Sequence, residues 1–447
     1  MNYTELTEAL RIAMEKQDSV AIEALVVEFQ PADLAEFLHD EEVDVCLKLL
    51  AHLEIEERAE VFGYLPLNTQ FEVSEEMTAE GLAQLLNCMD SDERADLFNL
   101  MEEDRQTAVL KLMAKEERED LRRMASYEEG TVGAIMTSDY ASVPVTDTVV
   151  QALDKVRKTA PDAETIYQIY VLDKLHRLVG TVSLRELIVS RPTALVSDLM
   201  ETDLITMLPD QEQEDAAKMI SRYDLLALPV IDNQQRLIGI VTYDDAMDVA
   251  EAEATEDILK GGSVGGLEGS IKDASKFLIY RKRIFWLLLL VFANIFTAAG
   301  IAIYEDTIAK YAVLVFFMPL LIGSAGNAGS QASTLMVRAL GTGDVVMSDW
   351  ARLFGREIII ALALGLTMAF AVAFIGHFRG GYDIALIVAL SMVSVVMMGS
   401  LLGLSLPFIL KRAGLDPATA SAPLVATIAD AAGILVYFGI ATAVLGL

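Results

Sequence analysis

The sequence predicts a multi-domain membrane protein. An all-α superhelical N-terminal domain is followed by a duplicated α+β module, an acidic connecting helix and a polytopic α-helical membrane domain with five transmembrane helices. Three observations predict this order. First, charge and apolarity are segregated: the 447 residues combine a mean hydropathy of +0.40 with a formal charge of −32. Residues 1–283 hold 58 acidic and 27 basic side chains, a net of −31, whereas 284–447 hold 8 and 7, a net of −1. Second, two segments within 131–250 align with each other. Third, five apolar runs close the chain, each long enough for a bilayer, which needs roughly 20 residues.

The acidic N-terminus lacks an apolar core segment and reads as having no cleavable signal. Cys46 and Cys88 both lie in helical apolar patterns and read as buried free thiols of a reducing compartment. So large an acidic excess argues against a nucleic-acid partner and favours cations, or plain solubility.

Residues 1–128 read as helix throughout. Apolar residues recur at three and four spacing, as in Leu34, Phe37, Leu38 and Leu82, Leu85, Leu86. The stretches DLAEFLHD, RAEVFGYL, GLAQLLNCM and RADLFNLM resemble one another. They predict a helical-repeat array in which each unit buries its face on a neighbour.

At 131–192 and 196–248 the texture changes. IMTSDYASVPVTDTVVQALDKV matches LMETDLITMLPDQEQEDAAKMI, and IYVLDKLHRLVGTVSLREL matches LPVIDNQQRLIGIVTYDDAM. Each copy reads as strand, helix, β-hairpin and closing helix, with Gly180-x-x-Ser183 and Gly239-x-x-Thr242 at equivalent places. This resembles a tandem pair of CBS domains. The resemblance implies adenine-nucleotide contacts at Ser183, Thr242 and Asp245, with ATP as the ligand; the first copy has Glu186 where the family usually has Asp. A pair used only for dimerisation is the competing reading.

The connecting segment, 249–275, continues an acidic helix pattern that starts at residue 243. Glu253, Glu256 and Asp257 stand at i, i+3 and i+4 and share one face, where like charges repel. A solvated face is the plain reading. Against it, the run leads straight into the membrane domain, 276–447, through the glycine pairs at 261–262 and 265–266.

The apolar runs are 284–304, 311–339, 357–378, 383–410 and 419–447. Arg281, Lys282 and Arg283 precede the first; Arg338, Arg352 and Arg356 lie between the second and third; Lys411 and Arg412 lie between the fourth and fifth. By the positive-inside rule the acidic domains are cytoplasmic and the C-terminus is outside. The second run carries Pro319, Gly323, Gly326 and Gly329 with Asn327, Ser330, Gln331, Ser333 and Thr334. Either small residues allow close helix packing with polar glue, or a broken helix lines a water-filled path.

The last run carries one acid, Asp430. A charge at membrane depth costs at least ~2.5 kcal/mol, so its default reading is functional. The chain has four histidines, none central in an apolar run, and offers no P-loop and no Ser/His/Asp arrangement. That speaks against an enzyme and against a soft-metal site. What remains is a hard oxygen environment suited to Mg²⁺. One Asp per chain cannot balance a 2+ ion, but a symmetric homodimer would bring two to one axis. At ~8 Å and an effective dielectric of ~20 they repel by about 2 kcal/mol, which a bound divalent ion more than offsets.

On VAEAEATEDI at 249–258, GNAGSQASTLMVRAL at 326–340 and DPATASAPLVATIAD at 416–430, the chain resembles the MgtE family of magnesium channels. The resemblance implies Mg²⁺ uptake through a homodimeric pore in the lipid bilayer. It implies an ion beside Asp430 and the backbone of Ala426, with second-helix contacts at Asn327, Ser330 and Thr334. It also implies regulatory Mg²⁺ at Glu60, Asp92, Asp96, Glu214, Asp224, Asp245, Asp248, Glu253, Glu256 and Asp257, holding the pore shut when internal Mg²⁺ is high. Two alternatives stay open at this point. One is a membrane-anchored ion or nucleotide sensor without conduction; the other is a transporter of Co²⁺, Mn²⁺ or Ca²⁺.

Overall fold

The computed structural model describes residues 3–161, 163–266 and 274–446. It divides into two compact units, Met1–Glu251 and Ala252–Leu447.

Among the described residues the first unit opens with ten helices. They are α1 (Tyr3–Glu15), α2 (Ser19–Val26), α3 (Pro31–His39), α4 (Val43–Leu50), α5 (Ile55–Gly63), α6 (Leu67–Glu76), α7 (Ala79–Leu86), α8 (Ser91–Leu100), α9 (Glu103–Leu112) and α10 (Lys115–Met124). From α3 onward, odd helices stack on odd and even on even, so the repeat is a helix pair. The look-alike stretches in α3, α5 and α7 form one row, and the one in α8 belongs to the other. Each presents a small residue beside two or three large ones, as in Leu34, Ala35, Phe37 and Leu38. Isolated helices of eight to ten residues are marginal in water, so this stacking is what keeps them folded. Of the two thiols read as buried, Cys46 is buried, but Cys88 is exposed. It falls just past the end of α7, where the chain turns outward and the helical period no longer points inward.

The duplicated module follows. Its first copy is β1 (Tyr140–Pro144), α11 (Val149–Thr159), β2 (Thr165–Leu172), β3 (Leu178–Ser183) and α12 (Leu184–Val189); its second is α13 (Gln213–Tyr223), β4 (Ala227–Ile231), β5 (Leu237–Thr242) and α14 (Tyr243–Gly261). β2 pairs antiparallel with β3, β4 with β5, and β1 runs parallel to β2. The copies exchange their leading segments: Thr137 bridges to Ile240, and Glu201 to Thr181. Gly180 and Gly239 make that crossing possible, because a Cβ at either would meet a methionine sulfur at 2.7 Å. α14 closes the second copy and runs on without a break at residue 249, so the expected boundary there falls inside one helix. Residues 267–273 of the expected linker lie outside the described residues.

The N-terminal array and the second copy share one apolar core, in which Met136, Leu228 and Val241 join Leu97 and Leu121. Polar contacts fix the same junction. Arg94, 3% exposed, reaches Asp120 at 2.8 Å and Glu117 at 3.1 Å, and the Ser138 hydroxyl donates to Asp120 at 2.8 Å. Burial alone would raise the Asp120 carboxyl, but hydrogen bonds from Arg123 and Ser138 and the charges of Arg123 and Arg94 hold it below its ordinary range.

The second unit is helical. Beyond the end of α14 it contains α15 (Lys276–Ile303), α16 (Glu305–Lys310), α17 (Val313–Gly341), α18 (Trp350–Arg412) and α19 (Ala422–Leu445). Four of these stretches are long and apolar enough to cross a membrane. At 1.5 Å per residue a straight α18 would be about 95 Å long, some three times a bilayer's hydrocarbon core. It is not straight: Gly381 sits at φ 76°, ψ −165°, open in practice only to glycine. The two arms double back, so that a Cβ at Gly365 would lie 3.0 Å from the Val393 Cα, and one at Gly376 3.0 Å from the Ala385 Cα.

α17 corrects the broken-helix alternative. It is one continuous helix through Pro319. Two of its glycines serve approach: a Cβ at Gly326 would lie 3.3 Å from the Ala426 Cβ, and one at Gly329 2.8 Å from the Gly399 oxygen. On the α18 side a Cβ at Gly399 would meet the Ala325 oxygen at 2.2 Å, and one at Gly403 the Gly329 oxygen at 2.0 Å. Backbones this close replace side-chain interdigitation as the source of packing between membrane helices. Gly403→Ala therefore forces α17 and α18 apart and is expected to destabilise the membrane unit by about 1–3 kcal/mol. Thermal unfolding in detergent reads this; an unchanged melting temperature would refute the close-approach account.

Candidate functional site

Two groups of oxygen ligands stand out, one in each unit. In the first unit, the N-termini of α8 and α14 bring acids toward the start of β2. α8 begins with Ser91, Asp92 and Glu93 after Asp90, and α14 with Tyr243, Asp244 and Asp245. Glu164 is placed by its own amide, which donates to the Asp139 carbonyl at 2.9 Å. One carboxylate oxygen from each of Glu164, Asp244 and Asp245 lies within 4.8 Å of the others. Glu164 Oε2 is buried without a hydrogen-bond partner. Asp92 is outside this group of three but near enough to be raised by the charges of Asp245 and Glu164.

The electrostatics are unfavourable when all these groups are ionised. Burial, then the Asp245 charge, pushes Glu164 up to about 8; burial, then Asp90 and Asp245, pushes Glu93 up to about 7. Burial raises Asp245 to about 6 against the pull of its Thr242 hydrogen bond, and Asp92 is raised by burial and by Asp245. Helix N-termini favour carboxylates by only ~0.3–1 kcal/mol each. Each pKa unit is worth about 1.4 kcal/mol, so desolvation and mutual repulsion outweigh the dipoles here. A hard divalent cation reverses that balance, and the all-oxygen donor set suits Mg²⁺ or Ca²⁺.

A pH dependence follows. Without metal, the folded carboxylates keep protons that the unfolded chain has already released, so stability falls as pH rises through the window ending at about 6 for Asp245 and about 8 for Glu164. The metal-free protein is expected to melt at progressively lower temperature from about pH 5 to 8, and Mg²⁺ to flatten that slope. A melting temperature that rises with pH over this range would contradict the assignment.

The remaining sequence candidates are dispersed. Burial raises Asp96 to about 6, with Glu129 adding to the shift, on the same helix as Asp92. Glu60 is exposed on α5, and Asp224 is the left-handed cap of α13. Glu214 pairs with Lys218 at 2.7 Å. Asp248 is exposed and raised by burial, Glu251 and Asp244. Glu253, Glu256 and Asp257 lie further along α14, in the second unit. Glu164, Asp244, Asp90 and Glu93 were missed by the sequence reading. No periodicity marks Glu164, which stands alone before a strand.

Ser183 and Thr242, the candidate nucleotide contacts, are equivalent residues at the starts of α12 and α14. The Ser183 hydroxyl donates to Glu186 Oε2 at 2.8 Å and accepts from the Glu186 amide at 3.2 Å, a closed capping box. Thr242 hydrogen-bonds Asp245. Both hydroxyls are thus engaged at helix starts.

In the second unit α17 packs along α19. A Cβ at Gly326 would lie 3.3 Å from the Ala426 Cβ and 3.5 Å from Asp430 Oδ1, so the bare glycine gives the carboxylate room. Ser333 donates to the Ala420 carbonyl at 2.8 Å and Ser330 to the Ala422 carbonyl at 3.1 Å, and these bonds fix the start of α19 against α17. Thr334 donates to the Ser330 carbonyl at 2.9 Å. Asn327, Gln331 and Thr334 are exposed. Their spacing of four and three puts them on one face of α17. A polar stripe of this kind is unsuited to lipid and calls for water or a protein partner.

Comparison with known proteins bears on both groups. Residues 318–440 match the family MgtE, a divalent cation transporter; 29–130 match the MgtE intracellular N domain; 132–191 and 196–252 each match the CBS domain. The chain is 36% identical to the magnesium transporter MgtE of Thermus thermophilus, with 98% of each chain covered. It is 32% identical to the Bacillus subtilis protein of the same name, covering 99% of this chain and 98% of that one. Among solved structures, the soluble part of a magnesium transporter is similar, at 31% identity and a TM-score of 0.53 over 57% of this chain and all of that one. So is the cytosolic domain of the Mg²⁺ channel MgtE in complex with ATP, at 33% identity and 0.52 over 54% of this chain and 99% of that one.

Proposed function

Because the chain belongs to the MgtE family of magnesium transporters, we propose that it carries Mg²⁺ across a cell membrane through a homodimeric pore and that cytoplasmic Mg²⁺ closes that pore. The single observation that carries the transport reading is the exposed stripe Asn327, Gln331 and Thr334 on the helix against which Asp430 lies. A second copy meeting this face would enclose a polar passage with a carboxylate from each chain. Mg²⁺ sheds water reluctantly, so the carboxylates would accept hydrogen bonds from the waters of a hydrated ion, with the Ala426 backbone and the α17 polar groups beside it.

The reading counts five spans, with the arms of α18 on either side of Gly381 as the third and fourth. Basic residues at 281–283, 338, 352, 356 and 411–412 mark the inner side, which leaves the C-terminus outside. The acids of the first unit and of α14 are the proposed sensor. Mg²⁺ bound between Asp92, Glu164, Asp244 and Asp245 removes a repulsion and so favours the packed state over a splayed one. A nucleotide at the duplicated module is proposed as a second regulator, supported by the ATP complex of the similar cytosolic domain.

Reconstituted full-length protein tests the proposal by Mg²⁺ flux into vesicles with Co²⁺, Mn²⁺ and Ca²⁺ as competitors. Uptake of Mg²⁺ that internal Mg²⁺ suppresses is the expected result. Absence of flux would favour a sensor, and preferential uptake of a competitor would change the ion.

A further inference from the structure

The last turn of α14 is fastened to the segment that leads into α19, the helix that carries Asp430, and passes near the end of α17. Lys260 Nζ lies 2.6 Å from Glu256 Oε1, one turn back in its own helix, and 2.6 Å from Asp416 Oδ2, just before α19. Asp416 is itself held in place, its Oδ1 accepting from the Ala418 amide at 2.8 Å. Beyond Lys260, the hydroxyls of Ser263 and Ser421 are 2.6 Å apart and both residues are buried. Ser421 is the N-cap of α19, nine residues from Asp430. On the other side, Asp257 Oδ2 is 3.5 Å from where a Cβ on Gly341, the last residue of α17, would stand. All these residues belong to the second unit.

Within α14 itself an i,i+4 pair to Glu256 adds only weakly to helix stability, and no helix needs Asp416 to fold around Lys260. The second carboxylate and the buried hydroxyl pair instead join separate elements. From this arrangement we infer that Lys260 is a positioning residue for closure: with Ser263 it couples the connecting helix to α19, and its ammonium serves as a fixed counter-ion that favours the docked arrangement. Movement of α14 is thereby delivered to the N-cap of the helix that carries Asp430. The inference rests on the proposed conduction and closure and adds the part that links them.

The test uses full-length protein in vesicles, with Mg²⁺ flux measured against internal Mg²⁺ for Lys260→Gln, Asp416→Asn and Lys260→Arg. A further protein exchanges the charges, Lys260→Asp with Asp416→Lys. Flux without internal Mg²⁺ stays at the wild-type level. At a concentration that closes the wild type, residual flux in the two neutralising variants rises about fivefold, the scale of losing a partly exposed ion pair from a two-state equilibrium. Lys260→Arg closes normally, and the charge exchange recovers much of the closure. Closure curves identical to wild type in both neutralising variants would overturn the inference, as would Lys260→Arg behaving like Lys260→Gln.

A second readout does not depend on conduction. In a protein carrying Ser263→Cys and Ser421→Cys, oxidation cross-links the two positions, and adding Lys260→Gln slows that cross-link several-fold. An unchanged rate would overturn the inference even if the wild type proved unable to conduct. A wild type that shows no Mg²⁺ flux while the cross-link does slow would refute the proposed function and leave the fastening standing.

Discussion

Replacing Asp430 by asparagine is expected to reduce Mg²⁺ flux at least about 100-fold while leaving the protein folded. A divalent ion ~5 Å from a carboxylate at an effective dielectric of ~20 is stabilised by roughly 6–7 kcal/mol. A dimer loses two such interactions, and about 2.7 kcal/mol already corresponds to a factor of 100. Asparagine has nearly the same volume, and Gly326 opposite leaves the side chain its space, so packing of α17 on α19 is retained. Asp430→Glu keeps the charge and is expected to keep part of the flux. The measurement is uptake into vesicles at matched protein incorporation, with a thermal melt to confirm folding. Wild-type uptake by the asparagine variant would remove Asp430 from the ion path and with it the transport reading.

The second large effect concerns the acids at the starts of α8 and α14. Neutralising two of them, Asp92→Asn with Asp245→Asn, is expected to raise the Mg²⁺ concentration needed for closure about tenfold or more. The same variant should be more stable than wild type in the absence of metal. Both residues are raised by burial and like-charge neighbours, so each costs free energy when ionised without a counter-ion. About 1–2 kcal/mol of relieved repulsion in a unit of this size corresponds to roughly 3–6 °C in melting temperature. Glu164→Gln should act in the same direction through its buried Oε2, which lacks a hydrogen bond. A merely structural role predicts the opposite sign, a fall in metal-free stability. Together, lower metal-free stability and unchanged closure would exclude these residues as the sensor.

The sequence reveals Asp430 because a lone acid in an apolar run stands out against its surroundings. It reveals the duplicated module because two copies of one pattern can be compared without outside information. The helical array is legible for the same reason, although its pairing is not: the look-alike stretches of α7 and α8 follow one another in the chain, yet α7 stacks in the row of α3 and α5 and α8 in the row of α4 and α6. Glycine is where the reading is most ambiguous. In α17 Gly326 and Gly329 resemble helix breaks but turn out to be contacts, because Ala426 of α19 and the Gly399 carbonyl of α18 come too close for a side chain to fit easily. Gly381, by contrast, is a true break, and only its positive φ says so.

Composition and spacing by themselves determined which parts are soluble, which cross the membrane, and that a hard divalent cation is the ion best served by the oxygen donors at hand. These follow from properties each residue carries with it: charge, hydropathy and helical or strand period. The tertiary structure alone decided which acids lie close together. Glu164 and Asp92 are 72 positions apart in the chain, and Lys260 reaches an aspartate 156 residues away. Repulsion, desolvation and ion pairing depend on distance in space and on burial, and neither quantity is written along a chain until it folds.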